Sequence, residues 1–437
     1  MISVDSGPLS DGDMESLNSL PPGTRVYRVF RRVSRGLRVE RLLVRLRRRI
    51  ISGRMPGATP PVSGNGGAGP RSAGSRPGSL PPEEIRWRWR EPRTVVRALN
   101  SWLSFCRART WTRDVARVGK ALALRQHYDL IATSGPPHSA HLAGVAVSRA
   151  AGAPLALDLR DPWSLPHRVP EPIASPLWFR LARWRERRAV ARASLIITNT
   201  DPVRHAMAEL YPHRSDRLVT VMNGSDEDPL PEQPRPERFV VAYAGAIYLD
   251  RDPRPFFRGA AAMVRDLGLS PRQFEVVFVG DVRKYGPEAV ADIARHEGLS
   301  GYLTLLPPMA RPELLERLTA ASMLLSLPQD SPFAVPSKVF EYMQFRAWVL
   351  ALATPESPTA VALQGTNADV VDPDDPASIA AVLRRRYLQF AAGETPDPPD
   401  PEGRLSRRRQ AQVLLEAMER IVGPSRDTPA STVSCSR

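Results

Sequence analysis

The 437-residue chain is predicted to fold as two α/β domains, each built on a parallel sheet. Three observations carry that expectation. From Leu130, short apolar runs alternate with helical patterns: "LIAT", a helix through "SAHLAGVAVSRAAG", "PLALDLR", a helix through "WFRLARWRERRAVARA", "LIITNT" and "LVTVMNG". A Pro-rich stretch at 226–238, "DEDPLPEQPRPER", then interrupts the rhythm. After it the rhythm restarts with "FVVAYAG", "FEVVFVG", "LTLLP", "MLLSLP" and "VLALAT". Strands alternating with helices read as βαβ units, which require a parallel sheet, and the Pro-rich interruption reads as a hinge.

The remaining elements follow in order. Short strands are expected at 2–4 and 26–29, then an Arg-rich amphipathic stretch at 31–54. Residues 55–80 are rich in Gly, Pro and Ser and have no means of forming a core. A long helical stretch, "RTVVRALNSWLSFCRARTWTRDVARVGKALALRQ", returns the chain to the sheet. Beyond Asp372 come a helix around 379–390, a Pro/Asp loop, and a closing amphipathic helix at 406–422, with Ser406 as its N-cap and Gly423-Pro424 as its stop. The chain therefore divides into an N-terminal domain at 1–228 with a basic, low-complexity insertion at 31–90, a linker at 229–238, a second domain at 239–400, the closing helix, and a frayed tail at 423–437.

Charge and cysteine content narrow the function classes. The net charge of +15 comes with 61 Lys plus Arg, of which only Lys120, Lys284 and Lys338 are lysine, a bias of the kind a GC-rich genome imposes. The charge is thus weak evidence for nucleic acid, and no nucleic-acid partner is expected without a recognition module or interleaved aromatics. Cys106 and Cys435 lie far apart and suggest neither a disulfide framework nor a metal site. No apolar run approaches the roughly 18 to 20 residues of a membrane span, and the polar start "MISVDSGPLSDGDMES" does not resemble a signal peptide. A cytoplasmic protein is expected. The stretch bounded by Arg31 and Arg54 holds ten arginines against Glu40, with Leu and Ile at near-helical spacing. It reads either as a solvated arm or as an interfacial helix on an anionic membrane surface at the inner face.

One motif raises a chemical question. In "PSKVFEYMQF" Pro336 is expected at the first helical position, followed by Ser337, Lys338 and an apolar stripe of Val339, Phe340 and Met343. A cation in the first turn opposes the helix dipole. An anion docked there removes the conflict, because free N–H groups at a helix start attract phosphate. Alternatively, Lys338 simply pairs with Glu341 three residues on. Four further loops each follow an apolar strand: "TSGPPHSAH" with His138 and His141, "DLRDPW" with Asp158, Arg160 and Asp161, "VMNGSD", and "YAGAIYLDRDP" with Gly245 and Arg251. In open parallel sheets, ligands bind beyond the carboxyl ends of strands.

Together these stretches resemble the retaining nucleotide-sugar glycosyltransferases of family 4, which have the GT-B fold of two Rossmann-like domains facing a cleft. The resemblance covers nearly everything from about Trp102 to Val422. It implies that the C-terminal domain holds a nucleotide-diphosphate sugar and the N-terminal domain offers the acceptor, with no cofactor and no metal. It assigns Lys338 to the donor phosphates, together with Ser337 at the helix start, and Glu341 to the ribose hydroxyls. Gly245 would let phosphates approach the backbone, and the second basic clamp is Arg251 or, failing it, Arg254.

Two departures stand out. The family has a paired Glu eight residues before the one matched by Glu341, and here that position is Phe333, leaving Asp330 or Ser331 to contact the donor sugar. The family also opens with a strand and a Gly-rich loop that precede anything in this sequence, so the N-terminal domain is expected to be incomplete. The implied chemistry is front-face displacement with retention, Lys338 and Arg251 stabilising the leaving diphosphate. Inversion would instead need a base such as His138, His141 or Asp161. Alternatives are a catalytically inactive paralogue that binds a partner and a sugar-nucleotide 2-epimerase.

Overall fold

The computed structural model describes residues 2–5, 20–21, 24–30, 92–165, 174–226, 230–231, 236–248, 251–328 and 331–423. The insertion expected at 31–90 and the tail beyond Gly423 lie outside the described residues, as does Asp330.

Among the described residues the N-terminal half carries two sheets. Strands β1 (Ile2–Asp5) and β2 (Tyr27–Phe30) pair in parallel. After the long helix α1 (Pro92–Ala123), a second parallel sheet forms from β3 (Ile131–Gly135), β4 (Leu155–Leu159), β5 (Leu195–Thr198) and β6 (Leu218–Thr220) in sequential order. Helices α2 (Ser139–Ala151), α3 (Pro176–Arg192) and α4 (Asp201–Leu210) connect its strands. Sequence explains the helix starts: Ser175 Oγ accepts from Trp178 N and Thr200 Oγ1 from Val203 N, each followed by a proline that pre-sets the first turn. It also explains the central strands. β4 and β5 are near-continuous apolar runs because helices cover both their faces, and Leu155, Ala156, Leu157 and Ile196 are inaccessible. β3 differs, since Ala132 and Ser134 are exposed.

The C-terminal half is one six-stranded parallel sheet. In chain order it runs through β7 (Phe239–Ala244), α5 (Arg254–Leu267), β8 (Phe274–Val279), a short hairpin of β9 (Lys284–Tyr285) and β10 (Glu288–Ala289), α6 (Val290–His296), β11 (Leu303–Leu306), α7 (Arg311–Thr319) and β12 (Met323–Ser326). It continues through α8 (Ser337–Tyr342), β13 (Trp348–Leu352), α9 (Pro358–Leu363), β14 (Asp369–Val371) and α10 (Pro376–Ala391). The strand order is β11-β8-β7-β12-β13-β14, so it reverses between β7 and β12. Phe239, Phe256, Phe257, Phe274 and Phe278 fill one side of the sheet, and Phe340, Tyr342 and Phe345 the other. Burying one such ring stabilises the fold by roughly 1.5–3 kcal/mol. Helix α8 begins at Ser337, one residue later than the proline-first expectation: Pro336 stands outside the helix with ψ of 132°.

The last helix, α11 (Arg407–Val422), crosses back. Ser406 caps it by accepting from Arg409 N, and Leu414, Ala417, Met418 and Ile421 pack on Ala156, Leu195 and Ile197 of the N-terminal sheet. The crossing is stitched to the first one: Ser225 N donates to Leu405 O at 2.7 Å and Arg407 N to Ser225 O at 2.9 Å. Only glycine fits at Gly224, where a Cβ would lie 2.5 Å from Arg407 N. Among the described residues no helix is long and apolar enough to cross a membrane, and no group of three or more His, Cys, Asp or Glu could hold a metal ion.

Candidate active site

A doubly wound sheet offers its ligand crevice where the strand order reverses, beyond the carboxyl ends of the strands. Here the loops after β7 and β12 meet at that point. The first opens with Gly245, whose carbonyl lies so near Gly280 that a Cβ there would sit 2.1 Å from it, and Gly280 adopts a φ of 125° that favours glycine. The second leads into α8, which is fastened to the end of β7: the fully buried Tyr342 hydroxyl accepts from Ala244 N at 3.0 Å. Burial pushes the Tyr342 phenol well above its ordinary value, so it stays neutral.

Around this point the charges are arranged as a chain. Lys338 Nζ lies 2.5 Å from Glu341 Oε2, and Arg311 Nη1 lies 3.1 Å from Glu341 Oε1, so both carboxylate oxygens hold a cation. Arg311 also reaches Asp226 at 3.2 Å, and Arg407 reaches the same Asp226 at 3.0 Å. The intrahelical Lys338–Glu341 pair is thus formed. Ser337, Glu341 and Arg311 line a cavity of about 640 Å³ together with Arg160, Asn223 and Asp226 of the N-terminal half. Arg160 donates to Asn223 Oδ1 across the strand ends.

The other sequence-derived candidates sit around this centre. Arg251 donates to Ala246 O at 3.0 Å and stacks over Tyr248 at 4.6 Å, beside the Gly245 turn. Arg254 is committed elsewhere, to Asp252 at 3.1 Å and Glu288 at 2.6 Å, which leaves Arg251 as the cation of that loop. Neither Gly245 nor Arg251 lines the 640 Å³ cavity. Ser331 Oγ accepts from Phe333 N at 3.4 Å. Phe333 packs against the core of the N-terminal sheet, and its carbonyl accepts from Thr200 Oγ1 at 2.8 Å, joining the two halves.

On the N-terminal side, His138 and His141 form a nest with Trp163, with ring centroids 5.0 and 5.9 Å from the indole. His141 Nδ1 lies 3.0 Å from Thr133 Oγ1. His138 Nδ1 and His141 Nε2 have no hydrogen-bond partner among the described residues. Burial lowers the pKa of His138 to about 4, with Asp161 pulling the other way, and lowers that of His141 to about 3, with His138 adding to the effect. Both rings are therefore uncharged at neutral pH. Asp158 accepts from Ser134 Oγ at 2.7 Å and is raised by burial. Sequence reasoning missed Arg311, Arg407 and Thr200. Arg311 stands directly after the loop that follows β11, and nothing distinguished it within 61 Lys plus Arg.

No protein-family model matches the chain. Among curated proteins it is similar to D-inositol 3-phosphate glycosyltransferases: 28% identical over 177 residues to that of Nocardia farcinica, covering 37% of each chain. To that of Thermobispora bispora it is 25% identical over 255 residues, covering 54% of this chain and 59% of the relative. The chain thus spans less than two thirds of the length of these relatives. Among solved structures it resembles Anabaena HepE in complex with UDP and glucose, with a TM-score of 0.50, 17% identity, and coverage of 70% of this chain and 81% of that one. A glycosyltransferase from Rickettsia africae gives a TM-score of 0.51 at 12% identity, covering 78% and 85%. The fold is GT-B. In GT-B terms the six-stranded sheet is the C-terminal Rossmann-like domain, with its strand order reversing between β7 and β12.

Proposed function

We propose that this chain transfers a glycosyl group from a nucleotide-diphosphate sugar to an acceptor hydroxyl, with retention, as a family 4 glycosyltransferase. The observation that carries the proposal is the gathering of Ser337, Lys338, Glu341 and Arg160 where the sheet order reverses. The names of the relatives, and the UDP and glucose in the HepE structure, support it.

In this mechanism the diphosphate lies against the Gly245 turn and the start of α8. Lys338 leaves Glu341 for the phosphates and Arg251 closes from the other loop, so the two cations stabilise the charge that grows as the sugar–phosphate bond breaks. Glu341, still held by Arg311, accepts from the ribose hydroxyls. Ser331, or Asp330 of the same loop, takes the place of the family's paired Glu toward the donor sugar. The acceptor oxygen forms the new bond on the face the diphosphate leaves, and its proton passes to the departing phosphate. An inverting route needs a base near neutrality. His138, lowered to about 4, is a weak one, and in the retaining route His138 and Asp161 line the acceptor side. The mechanism calls on no metal and no cofactor.

The acceptor is a lipid-linked or polysaccharide precursor in this proposal, reached at an anionic membrane surface through the basic stretch at 31–54. Co-sedimentation with liposomes that depends on anionic lipid and weakens with salt is expected, and binding indifferent to both would remove the membrane from the proposal. The second reading is an inactive binding protein, favoured by Phe333, which packs on the N-terminal core. A panel of nucleotide sugars separates the readings: transfer or donor hydrolysis supports the enzyme, diphosphate binding without turnover supports the binding protein, and conversion of one nucleotide sugar into its epimer indicates a 2-epimerase. No binding of any nucleoside diphosphate overturns the proposal.

A further inference from the structure

Exposed apolar side chains scattered singly mean little, but a cluster of them rimmed by one sign of charge marks a contact surface. Helices α1 and α3 carry such a cluster. Val95, Val96, Leu99 and Trp102 stand out from the first three turns of α1, each between 43% and 54% exposed, and Trp184 of α3 is 53% exposed. Trp102 and Trp184 are the exposed members of the six described tryptophans. Val95, Leu99 and Trp102 recur at helical spacing, as do Trp184 and Arg188, so each helix turns one stripe outward.

The charge around these stripes has one sign. Arg180, Arg183, Arg187 and Arg188 are exposed along α3, and Arg109 and Arg113 along α1. The acids of the two helices, Asp114 and Glu186, are both buried, the first paired with Arg117 at 2.9 Å and the second held by Ser164 and Tyr211. Arg188 rests over the Trp184 ring at 5.0 Å. The helices lie side by side: Ser101 Oγ is 2.6 Å from Ser175 Oγ, and the Phe105 and Trp178 rings are 4.8 Å apart. Farther along this seam Arg185 stacks on Phe105 at 4.3 Å, feels the like charge of Arg109, and has no acceptor for its Nε among the described residues.

We propose that α1 and α3 form a docking surface for an anionic lipid bilayer, in which Trp102 and Trp184 enter the headgroup layer with Val95 and Leu99 while the arginines meet lipid phosphates. Charge complementarity argues for this occupant, because headgroup phosphates supply the counter-charge that Arg109 and Arg185 lack among the described residues. The apolar stripe argues against a nucleic acid, whose phosphates would leave Val95, Val96 and Leu99 uncovered. Indole rings favour the boundary between hydrocarbon and water, and an arginine stem lies along apolar surface while its head stays among the phosphates. The surface is distinct from the stretch at 31–54. The inference rests on the membrane part of the proposed function and on none of its donor chemistry.

Co-sedimentation of the full chain with phosphatidylcholine vesicles, with and without phosphatidylglycerol, tests this. A Trp102→Ala, Trp184→Ala double variant should bind the anionic vesicles at least about tenfold more weakly than the parent. An Arg183→Gln, Arg187→Gln double variant should lose a similar amount at low salt, roughly fivefold per arginine. All four side chains are exposed, so Tm should stay within about 2 °C of the parent. Lipids brominated on their acyl chains give a second measurement: they should quench tryptophan fluorescence in the parent, and a Trp102→Phe, Trp184→Phe double variant should lose most of that quenching. Vesicle binding equal to the parent in the first two variants, quenching that survives the Phe substitutions, or variants that lose binding to double-stranded DNA while keeping the vesicles would each overturn the proposal. No nucleotide sugar enters these measurements. Donor binding without vesicle binding strikes this surface alone, and vesicle binding without donor binding strikes the enzyme reading alone.

Discussion

β3 and β12 are both strands of parallel, helix-covered sheets and live in different surroundings. β12, "MLLS", has β7 on one side and β13 on the other, and all four of its residues are buried. β3, "IATSG", pairs among the described residues with β4 alone, and its polar residues find side-chain partners: Thr133 with His141, Ser134 with Asp158. The difference teaches that a strand's polarity records how many neighbours it has as well as which fold it belongs to. One half of the molecule holds its site beside a strand paired on both sides. The other presents Asp158, Arg160 and the histidine nest from a sheet whose described strands begin at β3.

The contrast can be attacked by substitution. Leu324→Ala on β12 should cost about 2–5 kcal/mol, the range for a buried leucine whose cavity cannot collapse. Ile131→Ala on half-exposed β3 should cost about 1–2 kcal/mol. Urea unfolding followed for each half measures both, and similar losses would erase the distinction. Lys338→Ala should weaken nucleoside diphosphate binding on the order of a hundredfold, whereas Lys338→Arg keeps part of it, since phosphates need the charge more than the shape. Calorimetry giving equal affinity for the Ala variant and the parent contradicts the phosphate role.

Acid should separate the halves next. His138 and His141 fall from 6.5 to about 4 and about 3 on folding, so the folded state binds fewer protons than the unfolded one below pH 6.5. Their contribution is full above pH 6.5 and is lost as pH falls toward 3. The C-terminal half has only His296, which is exposed. Buried Glu186, held by Ser164 and Tyr211, is raised by burial and works in the opposite sense, its contribution lost as pH rises above 4.5 through the folded value. Proteolysis between pH 6.5 and 4 should cut within 92–226 first, and a His138→Gln, His141→Gln double variant should flatten that dependence.

Smaller effects belong to the ion chain. Glu341→Gln should cost about tenfold in affinity for ribonucleoside diphosphates, the worth of a hydrogen bond to a charged group, and less for inorganic pyrophosphate. An equal loss for both removes the ribose role. Arg311→Ala should change stability by under about 1 kcal/mol, because its side chain is 56% exposed, and a larger loss would show that the Glu341–Asp226 link holds the halves together.

Much of the architecture was legible because burial leaves periodic marks. Runs such as "LALDL" and "FVVAYA" and the cap Ser406 are local signals, and the α/β fold with parallel sheets follows from them. The proximity of Lys338 and Glu341 was legible for the same reason, being three residues apart on one helix. Arg311, 30 residues from Glu341 and 85 from Asp226, leaves no periodic mark. Neither does the Thr200–Phe333 contact, which spans 133 residues and turns a position expected to face donor sugar into a seam between the halves. The helix-first proline was misplaced by one residue because Pro336 serves equally well just before a helix as inside it.

The chain passes between its halves twice, and the passages at Ser225 and Ser406 run side by side with two hydrogen bonds between them. Two strands at one crossing act as a pair of pins: they allow rotation about a shared axis and resist sliding or twisting apart. Because α11 belongs by sequence to the second half and packs in the first, severing the stretch between Asp226 and Arg238 would not set the halves free. Polypeptides ending and beginning within that stretch, made separately, should co-purify through α11. Removing residues 407–422 from the second piece should abolish the pairing, and persistence without them would place the cohesion elsewhere.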